Sequence, residues 1–567
     1  MGTKQLRKKT NKTSRLSVFL LMLAFFISTL PAGAQCWHWA VNMGSTNYES
    51  LTSISVGPDG TSAITGQFLG TTIIGGDTLT ASSSRDVFTA IVDSNGVVLK
   101  GMAGVGDGTE NIGNGIATDT DGNIFITGNF KGTITFDDVP LESAGVGDIF
   151  IVKYDASGNL LWANRAGGGN NIYANDIAVD PAGNCYIIGE FYDSASFDGH
   201  VVYSTIANDV FTAKYDPDGN GVWAESSGGG SGDWGTGIAV DSLGNVFIAG
   251  YFQSQFVFNE IAHSTEGNRD VFVAMYDVSG SPQWAVTGGG SGNDFFNKVA
   301  VDATGSNIYA TGEFESASAL IGGITLQNAN ASPPRRDVLL MSFDAGGTAN
   351  WGIRAGSVGH DYANDVTVDD NGDVYITGTF TDTIVFDDIT LINSSGDLYL
   401  AKFDQSGNAL WAKMPEANTA LAEGISVTTY RNRPLIAGGL VAGMGPPILV
   451  FDDDTLISNG STDAFIAKIG PPCTVATAVE DHFDNPVSLA VYPNPFQDRL
   501  TIRLTGRVQG PVDLKIYNLQ GGLVMSDRSY ARENVSIRTD QLPAGVYFLH
   551  LRTGNIFQSV KLIKMQE

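Results

Sequence analysis

The chain has 567 residues, of which 70 are Gly, and a formal net charge of −28. Only 16% of its residues are charged, and this glycine-rich composition is typical of turn-rich all-β proteins rather than helical ones. A strongly acidic surface repels phosphate backbones, so we expect no nucleic-acid partner.

The first 34 residues have the pattern of a secretory signal peptide. Six basic residues and no acidic residue occur there, with an apolar run at 16–30 and small residues at 32–34. This pattern predicts cleavage before Gln35 and export. A membrane anchor is the alternative, but about 15 apolar residues are short for a span of roughly 20. No later stretch is apolar enough, so we expect no transmembrane segment in the mature chain.

A repeat of about sixty residues fills the middle of the chain. Its first mark is a glycine shortly before the aromatic end of a strand, and its second is an aspartate that opens a later strand. The glycines are Gly66, Gly128, Gly189, Gly250, Gly312, Gly378 and Gly438. The aspartates are Asp86, Asp148, Asp209, Asp270, Asp337, Asp397 and Asp463.

Each repeat contains four strand-like runs, and a polar loop separates the second run from the third. Runs such as residues 271–276 are apolar on both faces, so neighbouring repeats must cover each other. Such sheets fit either a closed β-propeller or an open solenoid. The last repeat lacks its tryptophan strand, whereas the chain begins with an unmatched one at Trp39. We therefore predict that the amino-terminal strand completes the last repeat and closes a seven-bladed propeller over residues 35–472.

The repeats resemble the SBBP-type bacterial β-propeller family. The motifs AVDSLGNVFIAGYF at 239–252 and DVFTAKYDPDGNGVW at 209–223 carry the resemblance, which covers about 39–470. Lys100 departs from the pattern, because it stands where other repeats have tryptophan. The resemblance implies a fold and a scaffold role, and it names no reaction.

Residues 486–567 form a second domain after a linker at 473–485. This segment holds 10 basic and 6 acidic residues, whereas residues 35–485 hold 16 and 54. Such a change in charge marks a domain boundary. Short alternating strands separated by turns predict a small immunoglobulin-like β-sandwich.

This domain is similar to the type A C-terminal sorting domain of the type IX secretion system of Bacteroidetes-type bacteria. VYPNPF at 491–496, IYNLQGGLV at 516–524, LPAGVYFLHL at 542–551 and KLIK at 561–564 match in order. The resemblance implies that the secretion machinery is a partner of residues 486–567. It also implies a surface-attached or released product. An ordinary adhesive or carbohydrate-binding sandwich is the alternative.

No catalytic constellation is apparent, and we expect no cofactor. The six histidines share no metal-ligand spacing, and the glycine runs precede no helix that could hold a phosphate. These absences favour a non-catalytic surface scaffold, although the sequence leaves the question of catalysis open. The alternative is an extracellular glycan-active hydrolase or lyase with paired carboxylates at the channel mouth.

Two acidic features are better explained by turns than by ligands. The strand-opening aspartates recur at one position, which suggests local capping of backbone N–H groups. Asp216, Asp218 and Asn220 match the first half of a calcium loop, but the closing glutamate is missing. They are weak calcium candidates, and we predict no metal site.

The three cysteines have two different predicted roles. Cys185 aligns with apolar strand residues and should be buried. Cys36 and Cys473 flank the repeats, so ring closure would bring them within disulfide range in an exported protein. Two free thiols are the alternative.

The loops that lead into the first strand of each repeat are predicted to form the ligand-binding face. They combine aromatic and acidic residues, which suit a glycan or a protein ligand. A structural role in stapling adjacent blades is the alternative. The candidates are Tyr173, Asp176, Asp233, Trp234, Asp294, Phe296, Asp361 and Tyr362.

Overall fold

The computed structural model describes residues 35–472 apart from 46, 83, 109–110, 330–334, 394–396, 418–420, 442–447, 453 and 459. It also describes 487–564 apart from 493–495, 497–498, 507–510, 519–522, 531–533, 544 and 554–555. Every helix or strand in those ranges is a β-strand, so the predicted all-β class is confirmed. The chain divides into two compact units, residues 1–473 and 474–567. The predicted signal peptide and linker lie outside the described residues.

The described residues of the first unit form seven four-stranded antiparallel sheets, which we number 1 to 7 in the order of their first strands. The first strands are Tyr48–Val56, Ile112–Thr118, Ile172–Val179, Gly230–Val240, Asp294–Val301, Tyr362–Val368 and Leu421–Tyr430. The second strands are Ser62–Leu69, Ile124–Phe130, Cys185–Phe191, Val246–Phe258, Asn307–Phe314, Val374–Phe380 and Arg433–Val441. The third strands are Asp86–Val92, Asp148–Tyr154, Asp209–Tyr215, Asp270–Tyr276, Asp337–Asp344, Asp397–Phe403 and Thr462–Pro472. The fourth strands are Val98–Gly106, Leu160–Ala166, Gly221–Ser227, Pro282–Gly289, Ala349–Ala355, Ala409–Lys413 and Gln35–Met43.

The sheets follow one another in a closed cycle. The first strand of each sheet packs against the first strand of the next, and that of sheet 7 packs against that of sheet 1. Sheet 7 takes its fourth strand from the start of the chain, because Gln35–Met43 pairs antiparallel with Thr462–Pro472. Trp39 lies opposite Lys468 in this pairing. The prediction that the amino-terminal strand completes the last repeat is therefore confirmed.

A separate hydrophobic core fills each junction between neighbouring sheets. Phe211 of sheet 3 packs in one cluster with Ile151 of sheet 2, and Ile466 of sheet 7 shares another with Phe88 of sheet 1. Burying each such side chain stabilises the fold by about 1.5–3 kcal/mol. The sheets cover one another on both faces, as their doubly apolar strands predict.

In five sheets the tryptophan of the fourth strand links its sheet to a turn of the next. Trp162 Nε1 donates to the Pro217 carbonyl at 3.1 Å, and its ring lies against Gly219, where a Cβ would be 3.0 Å from the ring. Trp39 makes the same bond to the Ser94 carbonyl of sheet 1, at 3.2 Å. Lys100 replaces tryptophan without losing the link, because its Nζ donates to the Gly158 carbonyl at 2.6 Å.

The stretch between the second and third strands is a small hairpin in every sheet, where the sequence analysis places only a polar loop. Asp198 and Gly199 have φ of 49° and 89°, as the tight turns of such hairpins require. In sheets 2 and 5 the hairpin pairs with the fourth strand of the preceding sheet and so bridges the junction. The hairpin strands are Thr71–Ile74, Asp77–Thr80, Thr133–Phe136, Val139–Glu142, Ser194–Phe197, His200–Tyr203, Ile261–Ser264, Ser318–Ile321, Ile324–Gln327, Thr383–Phe386, Ile389–Ile392, Ile448–Phe451 and Asp454–Ile457, and Glu416–Ala417 pairs with Ile448–Phe451.

The described residues of the second unit form two antiparallel sheets that share one core, in agreement with the predicted sandwich. Leu500 and Ile502 of one sheet lie in a cluster with Leu514 and Leu549 of the other. The first sheet consists of Val487–Tyr492, Arg499–Gly506 and Asn534–Arg538. The second consists of Leu523–Tyr530, Pro511–Asn518, Gly545–Thr553 and Ile556–Lys564.

Candidate functional site

The first strands are tied together by side chains that sit in β-bulges. Asn114 Nδ2 donates to the Ala174 carbonyl of the next sheet at 2.7 Å, and Asn175 Nδ2 donates to the Gly235 carbonyl at 2.9 Å. Sheet 7 has Ile425 at this position. The equivalent bonds of the other sheets come from Thr52, Thr236, Asn297 and Asn364. These residues hold the first strands in place and fix the positions of the side chains beside them.

An ion pair links first strands that are not neighbours. Lys298 Nζ of sheet 5 lies 2.6 Å from Asp176 Oδ1 of sheet 3. The other carboxylate oxygen of Asp176 accepts the Ile238 N–H at 3.0 Å. Asp365 of sheet 6 belongs to the same network, where burial raises its pKa to about 6 while Lys298 opposes the rise. Both oxygens of the predicted ligand residue Asp176 are thus engaged within the fold.

Four consecutive first strands carry an aromatic residue at one register position. In each case it pairs with the residue that follows the repeat glycine of the second strand. Phe295 is buried, and the other three are partly exposed. Sheets 7, 1 and 2 have Glu423, Ser50 and Ile112 at this position. We call the four residues the aromatic arc: Tyr173, Trp234, Phe295 and Tyr362.

Phe296 and its neighbour Phe295 lie in different environments. Phe296 is completely buried and packs with Phe314 and Ile308 in the core between sheets 4 and 5. It therefore has no surface to offer a ligand, although the sequence analysis names it as a candidate. Phe295 takes the register position of the arc instead.

Two arginines lie between the aromatic residues of the arc. The Arg269 guanidinium carbon is 4.9 Å from the Trp234 ring centroid and 5.8 Å from that of Phe295. The Arg336 guanidinium carbon is 5.1 Å from the Phe295 centroid and 5.6 Å from that of Tyr362. Cations over ring faces at such distances are attracted by the π-electrons. The result is an alternating row of rings and cations across sheets 4 to 6.

The second strands add carboxyl groups next to the arc. Burial raises the pKa of Glu190 to about 8, opposed by a hydrogen bond from Asn175. Burial likewise raises the pKa of Glu313 to about 7, opposed by Arg336, whose guanidinium lies 3.2 Å from that carboxylate. Burial thus favours the protonated form of both groups, and the ion pair with Arg336 opposes it in Glu313.

The predicted ligand residues Asp233, Asp294 and Asp361 are all buried. Each accepts a backbone N–H from the loop before it, as in the 2.7 Å bond from Gly229 to Asp233. Each also approaches the strand-opening aspartate of the preceding sheet. A Cβ added to Gly228 would lie 2.6 Å from Asp233 Oδ2 and 2.8 Å from Asp209 Cγ. Burial raises the pKa of Asp233 to about 8. These aspartates hold the loops by hydrogen bonds from buried positions, so they are not surface ligands.

The weak calcium candidates lie in a hydrogen-bonded turn. Asp216 Oδ1 accepts the N–H groups of Asp218 and Asn220 at 3.0 and 2.8 Å. Its Oδ2 accepts Asn220 Nδ2 at 2.8 Å. Asp155 makes the same contacts in sheet 2. Within the described residues, no group of three or more His, Cys, Asp or Glu side chains could hold a metal ion.

The structure describes two of the three cysteines. Cys36 is disulfide-bonded, and Cys185 is free and buried as expected. Cys473 lies outside the described residues, so its pairing with Cys36 stays a prediction.

Sequence reasoning missed the residues that complete the row. Tyr251, Glu190 and Glu313 each follow a repeat glycine, whereas Arg269 and Arg336 each precede a strand-opening aspartate. Aligning the repeats on those two marks could have found all five. Counting forward from the strand-opening aspartate of the preceding repeat also places Phe295 in the same column as Trp234, whereas counting back from the repeat glycine places Phe296 there.

Comparison with known families identifies both parts of the chain. Residues 490–565 match the family of secretion system C-terminal sorting domains, and residues 161–190 and 226–251 match the β-propeller repeat family SBBP. Both resemblances noted from the motifs are thus confirmed. The sorting domain implies export through the type IX secretion system to the cell surface or the medium. Among the described residues, no helix is long and apolar enough to span a bilayer.

Similar proteins are distant. An uncharacterised WD repeat-containing protein of Acanthamoeba polyphaga mimivirus is 24% identical over 451 residues, which cover 62% of this chain and 31% of that protein. The regulatory protein FlaEY of Caulobacter vibrioides is 26% identical over 185 residues, which cover 31% of this chain and 19% of that protein. The match thus spans less than a third of either relative.

Solved structures add no functional argument. A fungal alcohol oxidase in complex with copper is 11% identical, with a TM-score of 0.35 and coverage of 94% of this chain and 100% of that one. An apocarotenoid oxygenase of Synechocystis is 9% identical, with a TM-score of 0.37 and coverage of 76% and 94%. Likenesses at these TM-scores carry nothing about activity.

Proposed function

We propose that this protein is an exported, surface-attached or released β-propeller that binds a glycan at the aromatic arc. The arc itself carries the proposal, since aromatic rings stand at one register position on four consecutive first strands and three of the four are partly exposed. Flat rings stack on the apolar faces of sugars, and neighbouring polar groups fix their orientation. The predicted signal peptide at residues 1–34 supplies the first export step, and the sorting domain supplies the second.

A glycan array on the purified protein tests this function. Trp234→Ala and Tyr362→Ala should each weaken binding by about tenfold or more, as is usual for anchoring aromatic side chains, with little change in melting temperature. Ile112→Ala is the matched control, because Ile112 occupies the same register position in sheet 2 and is also partly exposed. A large fall in melting temperature with unchanged binding would mean that the arc residues only staple adjacent sheets.

A glycan-active enzyme is a second candidate, favoured by the raised pKa of Glu190 and Glu313 beside the arc. A carboxyl that keeps its proton near pH 7 suits general acid catalysis. A reducing-sugar assay over the glycans that bind tests this role. Glu190→Gln and Glu313→Gln should abolish any activity, and release of sugar by both variants at the unaltered rate would eliminate these residues as catalysts.

A further inference from the structure

The arginines of the arc suggest which class of glycan it takes. Their backbones are fixed, because the Arg269 carbonyl accepts the Asp294 N–H at 2.9 Å and the Arg336 carbonyl accepts the Asp361 N–H at 2.8 Å. Both arginines are therefore held at the junctions between sheets, with their guanidinium groups against the rings of the arc.

Arg269 differs from Arg336 in what surrounds its charge. Arg336 has a carboxylate partner in Glu313, whereas no carboxylate of the described residues lies within ion-pair distance of Arg269. Among the described residues, its guanidinium group instead lies over the ring faces of Trp234, Tyr251 and Phe295. A guanidinium stacked in this way keeps the N–H groups of its edge available for an oxyanion.

An uncompensated cation is notable in a chain with a net charge of −28. The two glutamates beside the arc do not cancel its charge at mildly acidic pH, since burial raises the pKa of Glu190 to about 8 and Glu313 is paired with Arg336. Distant acidic residues are screened over about 8 Å at physiological ionic strength. Arg269 therefore brings a positive charge to the arc although the protein is acidic.

We infer that the arc binds an acidic polysaccharide, whose sugar rings stack on Trp234 and Tyr362 and whose carboxylate or sulfate groups pair with Arg269. This inference rests on the proposed glycan-binding function and narrows it to one class of chain. Carboxylated and sulfated sugars both offer the guanidinium two oxygens of an anionic group, and the experiment separates them.

The test measures affinity of the purified protein at pH 6 and about 0.15 M salt. The probes are polygalacturonate, chondroitin sulfate, neutral dextran and poly-glutamate. We expect tight binding to polygalacturonate or chondroitin sulfate, and at least tenfold weaker binding to the other two. Arg269→Gln should lower affinity for the acidic chain about tenfold, and Arg269→Lys should restore part of it.

Arg85→Gln is the matched control. Arg85 precedes a strand-opening aspartate in sheet 1 and lies over Tyr48, but it is outside the arc. The affinity of the Arg85→Gln variant for the acidic chain should therefore change less than twofold. Melting curves of each variant exclude loss of folding. One outcome would overturn the acidic ligand and leave the glycan function intact. In that outcome dextran binds as tightly as the acidic chains, Trp234→Ala weakens binding and Arg269→Gln leaves the affinity unchanged. Binding of poly-glutamate through the same residues would overturn the inference in favour of a polypeptide, and binding to no glycan would overturn both proposals.

Discussion

Sheets 3 to 6 and sheets 7, 1 and 2 share one backbone plan but differ at two side-chain positions. The first is the arc position, which is aromatic in sheets 3 to 6 only. The second is the residue before it. In sheets 4 to 6 this residue is Asp233, Asp294 and Asp361, which face the strand-opening aspartate of the preceding sheet, whereas sheet 3 has Ile172. In sheet 2 Asn111 takes this place and donates to Asp86 at 2.8 Å, and sheets 1 and 7 have Glu49 and Ala422. The repeat glycines and the bulges are common to both groups, so the fold leaves these two positions free for other uses.

The largest loss of stability should come from a change in sheets 7, 1 and 2, because the strand that closes the ring belongs to sheet 7. Deleting residues 35–43 removes the fourth strand of sheet 7 and the buried rings of Trp37 and Trp39. We expect a loss of about 4 kcal/mol or more, from two buried aromatic side chains and an exposed strand edge. Denaturant titration measures it.

Cys36→Ser is the control for that deletion, because it removes the disulfide and keeps the strand. Peptide mapping without reduction of the unaltered protein should recover Cys36 joined to Cys473. An unchanged denaturation midpoint for the deletion would contradict the role of this strand in closing the ring.

The paired aspartates should make the arc-bearing junctions sensitive to pH. The pKa of Asp233 is about 8 in the folded protein, against an ordinary value of 3.8, because of burial. The folded state therefore binds more protons than the unfolded state between about pH 4 and 8, and stability falls as pH rises through this window. Asp233→Asn should remove this loss, stabilising the protein at pH 8 by about 1–3 kcal/mol.

The reverse exchange tests the same comparison in the other group. Asn111→Asp creates a carboxyl pair with Asp86 and removes a hydrogen bond donor, so it should destabilise the protein by about 1–3 kcal/mol at pH 8 and less at pH 5. Melting temperatures of both variants over pH 5–8 measure these effects. Identical pH profiles for Asp233→Asn and the unaltered protein would show that the pair carries no excess proton.

The smallest loss of stability should come from the turn aspartates, and it should be equal in a sheet with the arc residue and in a sheet without it. Asp155→Ala and Asp216→Ala each remove a carboxylate that accepts three hydrogen bonds within its turn. Each should cost about 1 kcal/mol, and calcium should not shift the melting temperature of the unaltered protein. A calcium-dependent rise that Asp216→Ala abolishes and Asp155→Ala keeps would identify a metal site in sheet 3.

Much of this fold could be predicted because its repeat marks are local. The glycine of the second strand and the aspartate of the third recur in every copy, and the unmatched strand at Trp39 predicts its own partner. The site was harder, since it depends on register across the bulge. Phe295 and Phe296 precede that bulge and face opposite sides of the strand, so Phe295 lies in the arc and Phe296 in the core. The hairpins escaped notice because their strands have four residues or fewer in most sheets, too short for a clear alternating pattern.

The origin of the fourth strand of sheet 7 has a consequence for the time course of biosynthesis. Trp37 donates its N–H to Asp452, a residue 415 positions further along the chain. Ribosomes add roughly 5–20 residues per second, so the strand that is made first waits on the order of 20–80 s before its partner exists. During that interval six sheets can form while the seventh cannot. The ring is sealed by the first of its strands to be synthesised, and contacts this distant in sequence form slowly.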